Sequence, residues 1–232
     1  MKIATLNIGW CKKFKSEKVE MFLSQQDFDF LILTEAVNLN LSQFPFKYFS
    51  EQIPENTEYE GLNYSKYLSG EKAYRTIIYS KVPSTRIFSV IDNKTSLALE
   101  FKTEFGDLVI YATIIGTQFK RKPFAKNELE NCINDCNRIS KINPKILIIG
   151  DLNTSFLENE KHYCINSETT EVLKSLFEKL NLINSTEKIK KNIDHIIIPK
   201  FLVENITDAK TFVEKEILSD HQGVFVSINP IF

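Results

Sequence analysis

The sequence predicts an α/β protein of the α+β type: a four-layer α/β/β/α sandwich of two mostly antiparallel packed sheets with helices outside. Helices alternate with strands near both ends of the chain, whereas the middle reads as a β meander, and this arrangement favours two sheets between helical layers. The chain has 232 residues and 43% hydrophobic content, which is enough to bury one large core. We therefore expect a single domain over residues 1–232.

The first half of the chain reads strand, helix, strand, followed by short strands. Apolar runs at residues 2–8 and 28–34 predict buried strands, and the segment 16–26 between them predicts a helix that begins with a serine suited to capping. A loop-rich stretch follows. Four β-like runs then occupy residues 63–68, 74–80, 96–102 and 108–115.

The second half of the chain alternates helices with strands. Amphipathic segments predict helices at residues 124–141 and 169–180. Apolar runs predict strands at residues 145–149, 193–198 and 224–228.

The overall charge excludes one broad class of protein. The formal net charge is -1 and the sequence pI is near 6.4, so the chain lacks the basic excess of proteins that coat nucleic acid non-specifically. Nucleic acid is still a possible partner, because an enzyme needs positive charge only beside its cleft.

The cysteines and the N-terminus indicate a cytoplasmic protein. Cys11, Cys132, Cys136 and Cys164 form no Cys-x-x-Cys pair, and a chain of this size does not need disulfides. Cys132 and Cys136 lie one helical turn apart, where burial is favoured over metal binding. The opening MKIATLNIGW lacks the apolar region of a secretory signal, and no segment reaches the length of a membrane span. The oligomeric state is not defined by these features.

The segment ILIIGDLNTS, residues 146–155, is the first candidate for a functional site. Its continuous apolar run predicts a strand buried on both faces, and the run leads directly into Gly150, Asp151 and Asn153. A carboxylate and a carboxamide two residues apart can point to the same side of a cleft at the strand end.

Other predicted strands also carry polar residues at their ends. Asn7 lies near the end of the first strand, Glu35 follows the second, Asp194 lies in NIDHIII, and Asp220-His221 precedes the last apolar run. Ligands gather at strand ends in such folds. Hard divalent cations prefer oxygen ligands, and the carboxylates of Glu35, Asp151 and Asp220 are suitable.

These segments, taken in order, resemble the endonuclease/exonuclease/phosphatase superfamily, which includes DNase I-like and exonuclease III-like enzymes. Taken singly, each residue has an ordinary structural explanation, such as a solvated carboxylate for Glu35 or an Asx turn for Asp151. Five segments in family order, nearly end to end, favour the resemblance. AYRTIIYSKVP, residues 73–83, also resembles the central strand of that superfamily. The motifs that carry the resemblance are Asn7, Glu35, GDLN at 150–153, IDHI at 193–196 and SDH at 219–221.

The resemblance implies a role for each residue. Glu35 would be the principal ligand of Mg²⁺ or Mn²⁺, with Asn7 beside it and Asp220 close to the metal. Asp151 would orient or deprotonate the attacking water, and Asn153 would hold that water or a phosphate oxygen. Asp194 would hydrogen-bond one nitrogen of His221, leaving the other to face the scissile phosphate. Phosphodiester hydrolysis needs an aligned water and neutralised phosphoryl charge, which this set supplies.

The sequence departs from the superfamily in two places. Many relatives place a phosphate-contacting histidine or tyrosine at the end of the strand equivalent to 108–115, where this chain has Thr113 or Ile114. Apurinic endonucleases commonly carry an aromatic-arginine pair before Ile-Asp, where this chain has Lys190, Lys191 and Asn192. The expected branch is therefore not that of the apurinic endonucleases.

Substrate class stays open between two kinds of enzyme and a third, non-enzymatic function. A nuclease acting on DNA or RNA is favoured by two basic clusters expected at the active rim, which would contact phosphate backbones. A phosphatase or phosphodiesterase of small or lipid-linked phosphates would use the same site and would tolerate the missing histidine or tyrosine. A binding protein without catalysis is the third alternative. The residues of the clusters that would bind substrate are Lys120, Arg121, Lys122, Lys190 and Lys191.

Overall fold

The computed structural model describes residues 1–52, 58–59, 62–63, 73–116, 124–163 and 167–230. Three α-helices lie in these ranges: α1 (Ser16–Leu23), α2 (Phe124–Ile139) and α3 (Ser167–Lys179). Short 3-10 helices occupy Gly9–Cys11, Glu158–Tyr163 and Lys200–Asn205. The strands are β1 (Lys2–Asn7), β2 (Phe30–Val37), β3 (Phe46–Phe49), β4 (Glu58–Tyr59), β5 (Leu62–Asn63), β6 (Ala73–Ser80), β7 (Ser84–Phe88), β8 (Leu97–Thr103), β9 (Gly106–Ile114), β10 (Ile146–Asp151), β11 (Leu182–Asn184), β12 (Asp194–Pro199), β13 (Ile206–Val213) and β14 (Gly223–Ile228).

Two six-stranded sheets form the centre of the molecule. The first sheet has the order β13-β14-β1-β2-β6-β3, and the second has the order β11-β12-β10-β9-β8-β7. Within each sheet one neighbouring pair is parallel, β1 with β2 and β9 with β10, and the other pairs are antiparallel. The prediction of two mostly antiparallel sheets is confirmed.

The packing of apolar residues produces four layers. Ile3 and Ile32 of the first sheet pack against Ile110 and Ile149 of the second in a core between the sheets. On the outer face of the first sheet, α1 buries Val19 and Leu23. On the outer face of the second, α2 and α3 bury residues that include both Cys132 and Cys136, which are free thiols. The predicted α/β/β/α order is therefore confirmed.

Gly150 brings β10 unusually close to β9. Its φ is +140°, and a Cβ added there would lie 2.1 Å from the carbonyl oxygen of Thr113, its register partner. No side chain fits that space, because the contact is with backbone rather than with the end of a flexible side chain. The next residue, Asp151, consequently ends the strand directly opposite Ile114.

Several predicted boundaries are corrected by the structure. Helix α1 ends at Leu23 rather than at residue 26, and Ser16 is its first residue, so the cap position is Lys15 and no side chain caps the helix. Of the predicted strand 63–68, residue 63 lies in β5, whereas residues 64–68, like Cys164, lie outside the described ranges. Four strands of the two large sheets were not predicted, and each is an edge strand: β3, β7, β11 and β13. Among the described helices, none is long and apolar enough to cross a membrane.

Candidate active site

Two hydrogen bonds join the sheets at one end of the sandwich. Asn7, the last residue of β1, donates through Nδ2 to Oδ2 of Asp151, the last residue of β10, over 2.9 Å. His221, two residues before β14, has its Nδ1 2.7 Å from Oδ2 of Asp194, the first residue of β12. The four residues come from segments that are far apart in sequence, and the sandwich brings them to one cleft.

Asp151 and Asp194 lie side by side on neighbouring strands. They are register partners in β10 and β12, and both are almost completely buried. One ligand atom from each of Asp151, Asp194 and His221 lies within 4.8 Å of the others. Burial, with the charges of Asp194 and Glu35, raises the pKa of Asp151 to about 7, although the charge of His221 and the hydrogen bond from Asn7 act to lower it. Asp151 is therefore suited to exchanging a proton near neutral pH.

His221 carries a proton at neutral pH. Burial opposes the charge, but the carboxylates of Asp194, Asp151 and Asp220 outweigh burial and raise the pKa of the imidazole to about 10. The side chain is 14% exposed, so it lines the cleft without being free in solvent. Because Nδ1 is hydrogen-bonded to Asp194, Nε2 is the ring nitrogen that remains for a substrate. Nε2 makes no hydrogen bond to any residue in the described ranges.

Glu35 lies within β2, not after it as predicted. Its φ is +44°, and the register between β2 and β6 passes from Thr34 to Ala36 without a partner for it. Such strained positions cluster at functional sites. Burial raises the pKa of Glu35, and the nearby positive charge of Arg75 lowers it. Within the described part of the chain, no group donates a hydrogen bond to the Glu35 carboxylate.

Asp220 lies on the exposed side of the same cleft. Its Oδ1 accepts a hydrogen bond from the hydroxyl of Ser219 at 3.2 Å, and the Ser219 hydroxyl also accepts one from the backbone N–H of His221 at 3.3 Å. The negative charge of Asp220 acts on Glu35, where it raises the pKa. Two carboxylates that repel each other at a cleft are suited to a shared cation.

Asn7 and Asn153 hold Asp151, the first through its side-chain amide and the second through its backbone N–H. The amide oxygen of Asn7 accepts a hydrogen bond from the backbone N–H of Gly9 at 2.9 Å, which fixes the amide with its nitrogen toward Asp151. The backbone N–H of Asn153 donates to Asp151 Oδ1 at 2.9 Å, and its side-chain nitrogen donates to the Ile115 carbonyl at 3.0 Å. Asn153 has a φ of +49°, a conformation that asparagine adopts more readily than most residues. Asp151 is therefore held on both oxygens.

The strand geometry distinguishes Thr113 from Ile114. The Thr113 hydroxyl lies 2.8 Å from that of Ser96, which also accepts a hydrogen bond from Tyr111 in the layer beneath α2. Side chains alternate along a strand, so Ile114 shares the inter-sheet face of Ala112 and lies beside Asp151. Of the two candidate positions, the one that faces the other sheet therefore carries an apolar side chain.

Of the two basic clusters, the structure describes only the one that contains Lys190 and Lys191. Lys190 and Lys191 are exposed, and their loop is anchored to the site because Gln222 donates to the Lys190 carbonyl at 2.9 Å. The backbone N–H of Lys191 donates to the carboxylate of Glu160. Lys120, Arg121 and Lys122 lie outside the described residues.

Arg75 was not identified from the sequence. It is 4% exposed and pairs with Glu128 of α2 at 2.8 Å, and its Nη1 donates to Thr95 at 3.1 Å. Glu128 also accepts the backbone N–H of Gly116, just after β9. The available signal was an arginine inside the otherwise apolar strand AYRTIIYS, where a buried cation needs a nearby anion.

His195 follows Asp194 in β12, and its side chain points to the opposite face of the sheet. Its Nε2 donates to the Thr154 carbonyl at 2.9 Å, and its Nδ1 lies 3.1 Å from both Asn184 Nδ2 and Thr186 Oγ1. Burial lowers its pKa to about 4. The buried, neutral ring thus links the turn after Asn153 to β11 and β12 through hydrogen bonds.

Fold and site together define a four-layer α/β sandwich of the DNase I-like type, with an acid-imidazole cluster at the strand ends. Solved structures with this fold include the 3′ phosphatase NExo from Neisseria bound to a product DNA hairpin, with a TM-score of 0.71 and 16% identity over 99% of this chain and 100% of that chain. An AP endonuclease from Archaeoglobus fulgidus has a TM-score of 0.66 and 16% identity over 99% and 100% of the two chains.

A third similar structure is the endonuclease domain of TRAS1, a telomere-specific non-LTR retrotransposon. It has a TM-score of 0.65 and 12% identity over 98% of this chain and 97% of that domain. No protein-family model and no curated protein matches the sequence. At 12–16% identity these likenesses establish the fold.

Proposed function

We propose that the chain is a divalent-metal-dependent phosphodiester hydrolase, a nuclease that acts on DNA or RNA. The observation that supports this most is the pair of hydrogen bonds across the sandwich, from Asn7 to Asp151 and between His221 and Asp194. Buried carboxylates paired with an amide and an imidazole at strand ends support acid–base chemistry there, because burying such groups is costly. The nucleases and the phosphatase that share the fold support the same reaction class.

The geometry supports water attack on phosphorus. Asp151, with a pKa of about 7, accepts the proton of the attacking water, and Asn7 and Asn153 hold its carboxylate in place. His221 stays protonated because Asp194 holds its Nδ1, and Nε2 donates to the phosphoryl oxygen on which negative charge grows. The amide oxygen of Asn153 is available to accept a hydrogen bond from the water, and the second hydrogen of its Nδ2 is available to a phosphate oxygen.

The residues present fit a divalent cation of the Mg²⁺ or Mn²⁺ type. Glu35 is a largely buried carboxylate that accepts no hydrogen bond from the described residues, and Asp220 is a second carboxylate close to it. We assign Glu35 and Asp220 as the ligands, with Asn7 beside them mainly holding Asp151. The bound cation would neutralise phosphate charge and polarise the phosphorus–oxygen bond.

A small-phosphate substrate is the second candidate. Ile114 lies beside Asp151, where the resemblance implies a phosphate-contacting histidine or tyrosine. A phosphatase or phosphodiesterase of small or lipid-linked phosphates would use the same remaining residues. The NExo structure is described as a 3′ phosphatase, which shows that this fold also accommodates phosphomonoester chemistry.

Cleavage at abasic sites is not the activity that we propose. The residues before Asp194 are Lys190, Lys191 and Asn192 instead of the aromatic-arginine pair. An AP endonuclease has the same fold, so the substrate must be tested directly with an oligonucleotide that carries one abasic site.

The free thiols of Cys11, Cys132 and Cys136 support a cytoplasmic location for the enzyme.

Hydrolysis of bis(p-nitrophenyl) phosphate tests the reaction class. We expect turnover with Mg²⁺ or Mn²⁺, no turnover with EDTA, and recovery when metal is returned. A folded protein that leaves this ester, oligonucleotides and phosphomonoesters intact with either metal would instead be a binding protein. Cleavage of DNA or RNA oligonucleotides then separates the nuclease from an enzyme of small phosphates.

The basic cluster Lys120, Arg121 and Lys122 offers a further test of the nuclease. Replacing all three with alanine should weaken oligonucleotide binding and reduce the salt slope by about 0.7 to 0.9 for each backbone phosphate that the cluster neutralises. Hydrolysis of bis(p-nitrophenyl) phosphate should change little, because that ester does not extend beyond the reacting centre. Equal effects on both substrates would indicate that the cluster has a structural function and does not bind the nucleic-acid backbone.

A further inference from the structure

The turn that follows β1 is strained and lies beside the site. Gly9, Trp10 and Cys11 have φ values of 52°, 51° and 55°, so three successive residues are in the left-handed region. Tryptophan and cysteine rarely adopt it, and such outliers cluster at functional sites. The turn starts at Asn7, whose amide oxygen binds the Gly9 N–H, and a Cβ at Gly9 would lie 3.9 Å from Asp220.

The turn carries an aromatic ring and a cation that contact each other. Trp10 is half-buried, and the exposed Lys12 places its Nζ 4.6 Å from the centroid of the Trp10 ring. Burial lowers the pKa of Lys12, and the negative charge of nearby Glu35 acts to raise it. The indole N–H is buried and donates to no residue in the described ranges, although a buried tryptophan usually pairs this group.

Contacts with the loop that leads to His221 fix this part of the rim. Lys13 forms an ion pair with Glu216, and Lys18 donates to the Ile217 carbonyl at 2.9 Å. By contrast, Lys12 and Lys15 are exposed and form no ion pair with the described part of the chain. Alternating aromatic and basic residues beside a phosphate site are typical of surfaces that bind single-stranded nucleic acid.

We propose that Trp10 and Lys12 form a nucleotide subsite next to the scissile phosphate, in which the indole stacks on an unpaired base and Lys12 contacts a neighbouring backbone phosphate. This inference rests on the proposed function and names its substrate as single-stranded or frayed nucleic acid. Stacking a base displaces the Lys12 ammonium from the ring. The exchange is favourable because base stacking on an aromatic side chain is stronger than an exposed cation–π contact.

Fluorescence tests the subsite directly, because Trp10 is the single tryptophan in the chain. A short oligothymidylate is titrated in EDTA, and binding is followed both by tryptophan emission and by the anisotropy of a labelled oligonucleotide. We expect saturable quenching that follows the anisotropy, with half-saturation at higher concentration as salt rises. Binding that leaves the emission unchanged, or no binding at low salt, would overturn the proposal.

Substitutions locate the subsite. Trp10→Leu should weaken binding of the labelled oligonucleotide by about 5- to 100-fold, whereas Trp10→Phe should restore most of it. Lys12→Gln should reduce the salt slope by about 0.7, the value for one single-strand phosphate contact. Lys141→Gln, a change of an exposed lysine just before β10 at the other end of the sandwich, is the matched control and should bind normally.

The outcomes separate this inference from the proposed function. Failure of the unmodified protein to hydrolyse bis(p-nitrophenyl) phosphate with metal concerns only the proposed function, because the binding measurements are made in EDTA. Equal binding by Trp10→Leu and the unmodified protein refutes the subsite even when hydrolysis is normal. Circular dichroism verifies the fold of each variant, and if Trp10→Leu does not fold, Trp10→Phe and the quenching titration decide the result.

Discussion

His221 is the residue on which three carboxylates in the cleft act together. Its Nδ1 is bonded to Asp194, and the charges of Asp194, Asp151 and Asp220 overcome the burial that would otherwise keep the ring neutral. A histidine held in this way is a cation with one fixed nitrogen and one available nitrogen. The function of the His221–Asp194 pair therefore depends on both members, and the effects of replacing them should not be additive.

We predict that His221→Ala lowers kcat for bis(p-nitrophenyl) phosphate by about 10²- to 10⁴-fold, because it removes the group that we propose to stabilise phosphoryl charge. Asp194→Asn should cost less, since the imidazole remains. The double variant should be barely slower than His221→Ala, because the residues act as a unit. Losses that multiply in steady-state kinetics would show that the two residues act independently. Circular dichroism is the control for the fold.

His195, one residue from Asp194, should affect stability rather than charge in the cleft. Burial lowers its pKa to about 4, against the opposing effects of the Thr154 carbonyl and the Asp194 charge, whereas the ordinary value is 6.5. Between these values the unfolded chain binds more protons than the folded chain. The stability that the neutral ring provides is therefore complete above pH 6.5 and declines as the pH falls toward 4.

We predict that urea unfolding of the unmodified protein loses up to about 1.4 kcal/mol per pH unit more than His195→Gln does in this window. Glutamine can still donate to the Thr154 carbonyl but does not titrate. All other groups are common to both proteins, so the difference between the two curves isolates His195. Parallel curves across the window between the two pKa values would mean that the ring titrates normally in the folded protein.

At the scale of elements, the central strands were predictable and the edge strands were not. The strands β1, β2, β10 and β12 have continuous apolar runs because both of their faces are covered. Within the two large sheets, the four strands that were missed are the edge strands, where exposure leaves sequences such as ITDAKTFV without a continuous apolar run. Their pairing depends on the neighbouring strand, which a local pattern does not contain.

The candidate site shows the same division. Asn7, Asp151, Asp194 and His221 were identifiable because each sits at an end of an apolar run, and the structure brings them together. The position of Arg75 near Glu35 and the outward orientation of Thr113 were not identifiable, since they depend on sheet pairing and on the side of the sheet that each residue faces. The roles of the site residues stay predictions.

Gly150 connects element geometry to the site, and its replacement should be costly. In Gly150→Ala the new Cβ meets the Thr113 carbonyl at 2.1 Å, and the φ of +140° is strained for any side chain. We predict a loss of about 4 kcal/mol or more in urea unfolding. Gly106→Ala is the matched control: its φ is +90°, but its nearest contact is the flexible end of Lys145, so about 1 to 2 kcal/mol is expected. Equal losses would mean that the strands separate easily at Gly150.

At the scale of the whole molecule, a bound cation should change stability in a way that does not depend on catalysis. Burial and the negative charge of Asp220 both raise the pKa of Glu35. Above that pKa, the ionised Glu35 therefore lowers the stability of the metal-free protein. A cation that binds only the folded chain stabilises it by about 2.7 kcal/mol at 100 times Kd. For a chain of this size we predict a rise in Tm of about 5 to 10 °C with Mg²⁺ or Mn²⁺.

Glu35→Gln should raise the Tm of the metal-free protein and lower the Tm of the metal-bound protein. Without metal at about pH 8 its Tm should exceed that of the unmodified protein, because a buried charge is gone, whereas the metal-induced rise should largely disappear with the ligand. Glu204→Gln, which changes an exposed carboxylate in the 3-10 helix that follows β12, is the control and should keep the full rise. Differential scanning calorimetry with EDTA and with each metal measures both effects. A metal-induced rise of the same size in Glu35→Gln would mean that Glu35 is not a ligand of the cation.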